Sequence, residues 1–261
     1  MNSTGILGVV LVRDEDIFLA RALRAAAAFC DQFLLFDHGS KDASPGILRD
    51  FASQHPSAVL HSIRHPSESH QALLPFCGTR TWVFGVDGDE VYDAAGLAVL
   101  KPRLLSGEFD NNWMIMGHCL HVEKLTSTEA VGYEAPPSRP ITKLYNFAAI
   151  SAWPGRSMER LHGGSPAFRP GYHAGLKRML LEEIPWKDSP LRCLHLCFCP
   201  RSSARPAESG GRANIDEIYN GRLPSCLLRL IRRLLPSTSA WKRERYRRGP
   251  LVTRETGPFF S

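Results

Sequence analysis

Three acidic residues directly after an apolar run place the strongest constraint on what this chain can fold into. They are Asp87, Asp89 and Glu90, within the stretch TWVFGVDGDEVYD at residues 81–93. Carboxylates this close together repel one another, and their pKa values rise unless a positive group neutralises them. The sequence therefore requires a cation at the end of this apolar segment.

The first part of the chain alternates between strand-like and helix-like patterns. The alanine- and leucine-rich stretch 16–29 has apolar residues at helical spacing, and a second helix is expected with Ser44 as its N-cap and Pro45 in its first turn. Alternating strands and helices predict an α/β fold with a parallel sheet, whose ligand sites lie at the carboxyl ends of the strands. The predicted strands are 6–12, 33–36, 58–63 and 81–86.

Polar clusters follow three of these predicted strands. Asp14 and Glu15 come after the first, residues 37–40 after the second, and the acidic window 87–90 after the fourth. Because the carboxyl ends of parallel strands meet at one edge of a sheet, we expect the clusters to lie together. Hard oxygen ligands two residues apart suit Mn²⁺ or Mg²⁺, which also bridge phosphate oxygens. The pattern predicts a site for a divalent ion and a diphosphate; solvated turns whose acids cap the next helices are the alternative.

The stretches VVLVRDEDIFLARALRAAAAFCDQFLLFDHGSKDASPGIL and TWVFGVDGDE resemble family 2-type glycosyltransferases with the GT-A fold. The resemblance covers about residues 6–100, where several motifs follow in order at suitable spacing. Later segments are similar to the lipopolysaccharide core glucosyltransferase-like branch of that family. The resemblance implies transfer of a sugar from a nucleotide-diphosphate-sugar donor, with a UDP-sugar expected, to a glycan or lipid-linked acceptor, with inversion at the anomeric carbon.

The resemblance also implies roles for individual residues. Asp37 would hydrogen-bond the nucleobase, and Asp89 would ligate a metal ion that stabilises the leaving nucleoside diphosphate. Three departures leave the donor open: Asp14 stands where the family usually has Asn, His38 replaces a small or acidic residue, and Gln71 and Ala72 stand where the family often has a basic residue or Asn. The implied nucleotide-binding residues are Asp14, Glu15, Asp37, Gly39, Ser40 and Asp87, and the implied metal ligands are Asp87, Asp89 and His195.

An inverting transfer needs a general base to take the proton of the acceptor hydroxyl. The branch carries a His-Glu pair where this chain has His162 and Gly163, so the usual glutamate is absent. Glu159 and His162 are the catalytic residues favoured instead, and the alternative for each is an ordinary surface or half-buried side chain. Further candidates for the base are Glu123, Glu182 and Glu183.

The stretch CLHLCFC places Cys193, His195, Cys197 and Cys199 on one face of a predicted strand. Residues four apart on a strand are separated by about 13 Å, whereas zinc–sulfur bonds are about 2.3 Å long. One straight strand cannot close a four-ligand zinc site. The sequence therefore favours a half-buried strand with small sulfur side chains.

The predicted organisation is a GT-A domain at 1–221 followed by a basic segment at 222–261. The domain divides into a nucleotide-binding half, 1–105, and an α+β acceptor-side half, 106–221, whose strands are separated by loops rich in Pro and Gly. Residues 222–255 hold ten basic and two acidic residues. Leucines alternate with arginines there, which predicts a helix that contacts anionic lipid through residues 225–248 or packs on the domain. Binding of nucleic acid is not favoured, because no motif for reading bases is found.

Seven scattered cysteines and the lack of a signal-peptide pattern favour a reducing cytoplasm, at the inner face of the membrane if the basic segment binds lipid. Two other functions are open. A nucleotidyltransferase would use a related fold, but VLVRDED lacks the usual Gly-rich loop with a phosphate-gripping Arg or Lys. A non-catalytic membrane-associated binding module would tolerate the loss of Asp87 and Asp89, which a transferase would not.

Overall fold

The computed structural model describes residues 5–136, 144–154, 160–161, 164–204 and 244–260 of the 261-residue chain. Within these residues the chain forms a seven-stranded sheet, a five-stranded sheet and a two-stranded ribbon, with helices packed against the larger sheet. The mixed α/β class and the mostly parallel central sheet predicted from the sequence are confirmed. The predicted halves 1–105 and 106–221 remain a prediction, because residues around 221 lie outside the described ranges.

The centre of the larger sheet is built from the first four strands of the chain. β1 (Gly5–Val12) lies between β2 (Gln32–Asp37) and β4 (Thr81–Asp87), and β3 (Ala58–Ser62) extends the sheet beyond β2; all these pairs are parallel. Alternate residues of β1 face two separate apolar cores, so the strand is buried on both sides. Burial on both faces is the reason that its sequence reads as an unbroken apolar run.

Helices cover one face of this sheet. α1 (Asp16–Ala27) packs against α2 (Ser44–Gln54), β4 and α4 (Ala94–Leu105), and its buried leucines and alanines match the helical spacing of the sequence. Ser44 is the first residue of α2 rather than its N-cap, and its hydroxyl accepts a hydrogen bond from the Glu15 backbone N–H at 3.0 Å. In the described residues the helices are α1 (Asp16–Ala27), α2 (Ser44–Gln54), α3 (Ser67–Gln71), α4 (Ala94–Leu105), α5 (Leu180–Glu183) and α6 (Gly257–Phe260).

The later strands complete both sheets. The larger sheet continues beyond β4 through β9 (Leu144–Asn146), β6 (Met114–Met116) and β12 (Lys177–Met179), with β9 antiparallel to its neighbours. The five-stranded sheet has the order β14-β8-β7-β13-β5, and β10 pairs with β11 in the ribbon. The bounds of these strands are β5 (Glu90–Tyr92), β7 (His118–Leu125), β8 (Glu129–Glu134), β10 (Ile150–Ala152), β11 (Ala167–Phe168), β13 (Arg192–His195) and β14 (Leu251–Glu255).

The acidic window is the junction between the two sheets. β4 ends at Asp87 in the larger sheet, and β5 begins at Glu90 in the smaller one, where it pairs antiparallel with β13. The register places Glu90 opposite His195. The carboxylates therefore lie where the two sheets meet, and the residues after β13 are brought to the same place.

The end of the chain belongs to the smaller sheet. β14 falls within the segment that the sequence predicted as a basic tail, yet it pairs antiparallel with β8 along the sheet edge. Two of the basic residues there are engaged by acids of the sheet: Arg247 pairs with Glu123, and Arg254 pairs with Glu134. The predicted lipid-binding helix falls mostly outside the described residues. Among the residues that are described, no helix is both long and apolar enough to cross a bilayer.

Two glycines of β1 provide a matched test of core packing. A Cβ at Gly8 would lie 2.5 Å from a ring carbon of Phe33, whereas a Cβ at Gly5 would have only an ordinary 3.7 Å contact with Asp31. We expect Gly8→Ala to lower the free energy of unfolding by about 1–3 kcal/mol. Gly5→Ala should be neutral or stabilising by up to about 1 kcal/mol. Urea denaturation measures both, and equal effects at the two positions would contradict the packing around β1.

The docking of the chain end can be tested through Glu134, which accepts hydrogen bonds from His118 at 2.7 Å and from Arg254 at 2.6 Å. Burial alone would raise the pKa of Glu134, but these two hydrogen bonds lower it below its usual value. A lowered folded-state pKa means that the carboxylate stabilises the fold above about pH 4.3 and that this contribution is lost as the pH falls through the folded-state pKa.

We therefore expect Glu134→Gln to cost about 1–3 kcal/mol of unfolding free energy at neutral pH. The difference from the wild type should shrink as the pH is lowered below about 4. Urea denaturation over this pH range is the measurement, and Glu129→Gln, an exposed position on the same strand, is the control. A cost that stays constant with pH would show that the carboxylate charge is not responsible.

Candidate functional site

The three predicted polar clusters meet at the carboxyl edge of the larger sheet. The register pairs Leu11 of β1 with Asp87 and Val12 with Asp37, so the two aspartates lie on either side of the end of the central strand. Glu15 follows β1 by three residues and is buried. The expectation that the acidic residues after β1, β2 and β4 come together therefore agrees with the geometry.

Hydrogen bonds tie the loop after β1 to the loop after β2. Asp14 adopts the left-handed conformation with a φ of 54°, and its carboxylate accepts a hydrogen bond from the Lys41 N–H at 2.6 Å. The Asp14 N–H in turn donates to the Ser40 hydroxyl, and the Ser40 N–H donates to Asp37. Asn and Asp are the non-glycine residues that most readily adopt this conformation, so Asp is suited to this position.

Gly39 leaves space at this edge of the sheet. Its φ is +66°, and a Cβ built on it would have no described atom within 4 Å. The neighbouring Asp37 and Ser40 are fixed by the hydrogen bonds between the loops. The backbone at Gly39 is therefore open on its Cβ side, next in sequence to the hydrogen-bonded Ser40.

Arg160 is the positive partner of Asp87. Its guanidinium donates to Asp87 Oδ1, and its backbone N–H donates to the Ser69 hydroxyl at 3.0 Å. The side chain is only 2% exposed. Burial lowers the pKa of Arg160 to about 10, although the Glu15 carboxylate acts in the opposite direction. The group therefore still carries its positive charge at neutral pH.

Arg201 is the positive partner of Asp89. Its Nη1 lies 2.8 Å from Asp89 Oδ2 and 3.7 Å from Glu15 Oε1, and both carboxylates are almost fully buried. Burial alone would lower the pKa of Arg201, but the charges of Asp89 and Glu15 raise it above its usual value. One guanidinium thus balances acids that come from the ends of two different strands.

The segment that carries Arg201 is hydrogen-bonded to the start of α1 and to Asp42, which precedes α2. The Arg201 carbonyl accepts a hydrogen bond from the Ile17 N–H at 3.1 Å. The Ser202 hydroxyl donates to Asp42, and the Ser203 N–H donates to Asp16 at 2.7 Å. These bonds hold the backbone on either side of Arg201, and the ion pairs with Asp89 and Glu15 then orient its guanidinium.

The donor atoms at Asp89 suit a hard divalent ion. Asp89 Oδ2 lies 3.7 Å from His195 Nε2, a separation that one ion with bonds of about 2.1 Å can span. The predicted ligands Asp89 and His195 are therefore brought together, with Asp87 two residues away. The same Asp89 oxygen contacts Arg201, so an ion bound there would share this carboxylate with a guanidinium.

Other predicted residues lie apart from this edge or cannot be placed. The favoured catalytic residues Glu159 and His162 fall outside the described residues. Of the further candidates for the base, Glu123 pairs with Arg247, and Glu183 pairs with Arg178.

Sequence reasoning missed both arginines. It identified the need for a positive partner and assigned that role to a metal ion alone. The signal for Arg201 was present, because it follows the CLHLCFC stretch in the same way that the acids follow their strands. Arg160 had no comparable signal, since it lies 73 residues from Asp87 in a loop.

The chain matches no protein-family model and no curated protein. It is similar to the solved structure of S. aureus TarS, with 14% identity, a TM-score of 0.40, and coverage of 57% of this chain and 30% of that one. It is also similar to the mannosyltransferase PcManGT from Pyrobaculum calidifontis in complex with GDP-Man and Mn²⁺, with 16% identity, a TM-score of 0.32, and coverage of 47% and 36%. The chain thus spans about a third of the length of each, and neither similarity assigns it an activity.

The buried ion pairs predict a large effect of removing one arginine. Arg201→Gln would leave Asp89 and Glu15 as buried carboxylates without this guanidinium, which typically costs about 3–5 kcal/mol of unfolding free energy. Adding Asp89→Asn should recover part of that loss, because one uncompensated charge is removed. Arg178→Gln, in an exposed pair with Glu183, is the control and should have little effect. Urea denaturation tests this, and a second substitution that deepens the loss would contradict the pairing.

Proposed function

We propose that this chain is a glycosyltransferase of GT-A fold that takes a sugar from a nucleotide-diphosphate-sugar donor. One observation carries the proposal. Acids from three strand ends converge at the carboxyl edge of a mostly parallel sheet, beside the two buried guanidinium groups of Arg160 and Arg201. Open α/β sheets bind ligands at this edge, and guanidinium groups bind phosphate oxygens in paired hydrogen bonds.

The proposed nucleotide position borders the loops after β1 and β2. Asp37, Gly39 and Ser40 would contact the base and ribose, because they surround the open position at Gly39. Asp14 would act by holding these loops together, since its carboxylate already accepts the Lys41 N–H. Glu15 would act through Arg201, whose guanidinium lies beside it.

The diphosphate would lie toward Asp87 and Asp89. Mn²⁺ or Mg²⁺ held by these carboxylates, with His195 as the nearest further donor, would neutralise charge on the leaving nucleoside diphosphate. Arg160 and Arg201 would supply further positive charge at the same place. The donors of this chain fit such an ion in chemical type and in the separation of Asp89 from His195.

The finer features rest on the sequence resemblance. They are a UDP-sugar donor, a glycan or lipid-linked acceptor of the lipopolysaccharide core type, and inversion at the anomeric carbon with Glu159 or His162 as the base. Contact with anionic lipid through residues 225–248, at the inner face of a membrane, belongs to the same proposal. Arg247 is the exception within that segment, because it is already paired with Glu123.

Thermal unfolding with nucleotides tests the proposal. We expect one of UDP, GDP, CMP and dTDP to raise the melting temperature in the presence of Mn²⁺ and not in its absence. Ligand at about 100 times its Kd stabilises the folded state by about 2.7 kcal/mol. Asp89→Asn should abolish the shift that the nucleotide causes, whatever its effect on the protein alone. Glu108→Gln, which removes an exposed partner of Arg103, should leave the shift unchanged.

The reaction products separate this function from its rivals. A glycosyltransferase releases a nucleoside diphosphate from the sugar nucleotide. A nucleotidyltransferase instead joins a sugar phosphate to a nucleoside triphosphate, and the triphosphate releases pyrophosphate. Chromatography of the reaction mixture distinguishes the two. Absence of a thermal shift with every nucleotide, with and without Mn²⁺, would remove the main support for the transferase.

A further inference from the structure

A group of cysteine and histidine side chains lies between β7 and β13, and its member His195 borders Asp89. The two strands are parallel neighbours, and the register pairs Cys119 with Cys193 and His121 with His195. Neighbouring strands are about 4.8 Å apart, so side chains from two strands come much closer than residues four apart on one strand. The sequence argument against zinc considered a single strand, and the structure removes that objection by supplying ligands from a second one.

The donor atoms of this group lie at distances suited to one tetrahedral ion. His121 Nδ1 is 2.9 Å from His195 Nδ1, 4.0 Å from Cys119 Sγ and 3.9 Å from Cys197 Sγ. The donors of Cys119, His121 and His195 all lie within 4.8 Å of one another. Zinc with bonds of about 2.0–2.3 Å separates its tetrahedral ligands by roughly 3.3–3.8 Å. The donors of Cys119, His121 and His195 would move closer together to reach that geometry, and Cys197 Sγ, which already approaches His121 Nδ1, would move toward the other two to become the fourth ligand.

The group is closed off from water, which favours a structural site. Cys119, His121, His195 and Cys197 are each less than 10% exposed. The ring of Tyr246, from the chain end, covers both histidines, with ring centroids 4.4 Å from His121 and 5.4 Å from His195. Structural zinc sites have four protein ligands and no open position, and thiolate with imidazole is their usual ligand set.

We propose that Cys119, His121, His195 and Cys197 bind a structural Zn²⁺ ion that joins β7 to β13 and to the segment leading to Arg201. The thiols bind as thiolates and release their protons to solvent. The site is separate from the proposed Mn²⁺ or Mg²⁺ site, because zinc uses His195 Nδ1 whereas Nε2 faces Asp89. A neutral imidazole that binds zinc through Nδ1 carries its proton on Nε2. With zinc on Nδ1, the Nε2–H of His195 would face Asp89 and would no longer serve as a donor to the divalent ion of the proposed transferase, which would be held by Asp87 and Asp89 alone.

Metal analysis and cobalt spectroscopy test the zinc site without any nucleotide. The full chain, purified under reducing conditions, is expected to contain one zinc ion per molecule. Replacement by Co²⁺ should give the intense thiolate-to-cobalt absorption and the visible bands of tetrahedral coordination. A chain that contains no zinc and gives no such absorption would overturn the proposal. The contact would then be a hydrogen bond in which the Nδ1–H of one histidine donates to the Nδ1 of the other.

Single substitutions identify the ligands. Cys119→Ser and Cys197→Ser should each reduce the thiolate-to-cobalt absorption, whereas Cys30→Ala, which removes another buried thiol, should keep it. Asp89→Asn should also keep it while losing the nucleotide-dependent thermal shift. The zinc site and the transferase can therefore fail independently. Absorption that persists in full in both serine variants would overturn the assignment.

A measurement on the wild type covers the case in which the serine variants do not fold. Alkylation of thiols, mapped by mass spectrometry, should leave Cys119 and Cys197 unmodified in the metal-loaded protein and modify them faster after a strong chelator is added. Cys77 is partly exposed and serves as the reporter that should react equally under both conditions. Equal rates at Cys119 and Cys197 with and without chelator would contradict metal binding.

Discussion

The pairing of Arg201 with Asp89 and Glu15 is the interaction on which the arrangement of this protein depends. Both carboxylates are buried at the edge where the two sheets meet, and removing a buried charge partner typically costs about 3–5 kcal/mol. The guanidinium comes from the segment after β13, 112 residues beyond Asp89. The hydrogen bonds of Ser202 to Asp42 and of Ser203 to Asp16 keep the segment after β13 beside the acids at the edge of the larger sheet.

The same ion pairs bear on how a ligand could enter. A nucleoside diphosphate with a divalent ion carries charges of both signs. In the proposed function, the phosphates would replace the carboxylates as ion-pair partners of Arg160 and Arg201. The metal ion would replace the guanidinium groups as the partner of Asp87 and Asp89. No buried charge is left without a partner in either state, which keeps the desolvation cost of exchange low. The proposed zinc ion would support this exchange by fixing β13 and the segment leading to Arg201.

Local patterns predicted the parallel strands of the larger sheet well and missed the last strand of the smaller sheet. β1, β2 and β4 are apolar runs because both of their faces are buried, and the polar residues after them mark the strand ends. The strand β14 was not anticipated, because it lies in a basic segment whose charges suggested contact with lipid. Its stability comes from partners on other elements, such as the pairing of Arg254 with Glu134, and local composition does not report such partners.

The sequence by itself determined that the chain forms an α/β sheet with acids at the carboxyl edge and that a positive charge must meet them. These conclusions depend on burial and charge within short stretches, which the order of residues records directly. Only the tertiary structure decided that Arg160 and Arg201 meet these acids and that Cys119 and His121 face β13, because these residues are distant from their partners in the chain. Pairing between distant strands sets those contacts, and a distance of 2.9 Å between two histidine nitrogens arises from strand register rather than from spacing along one strand.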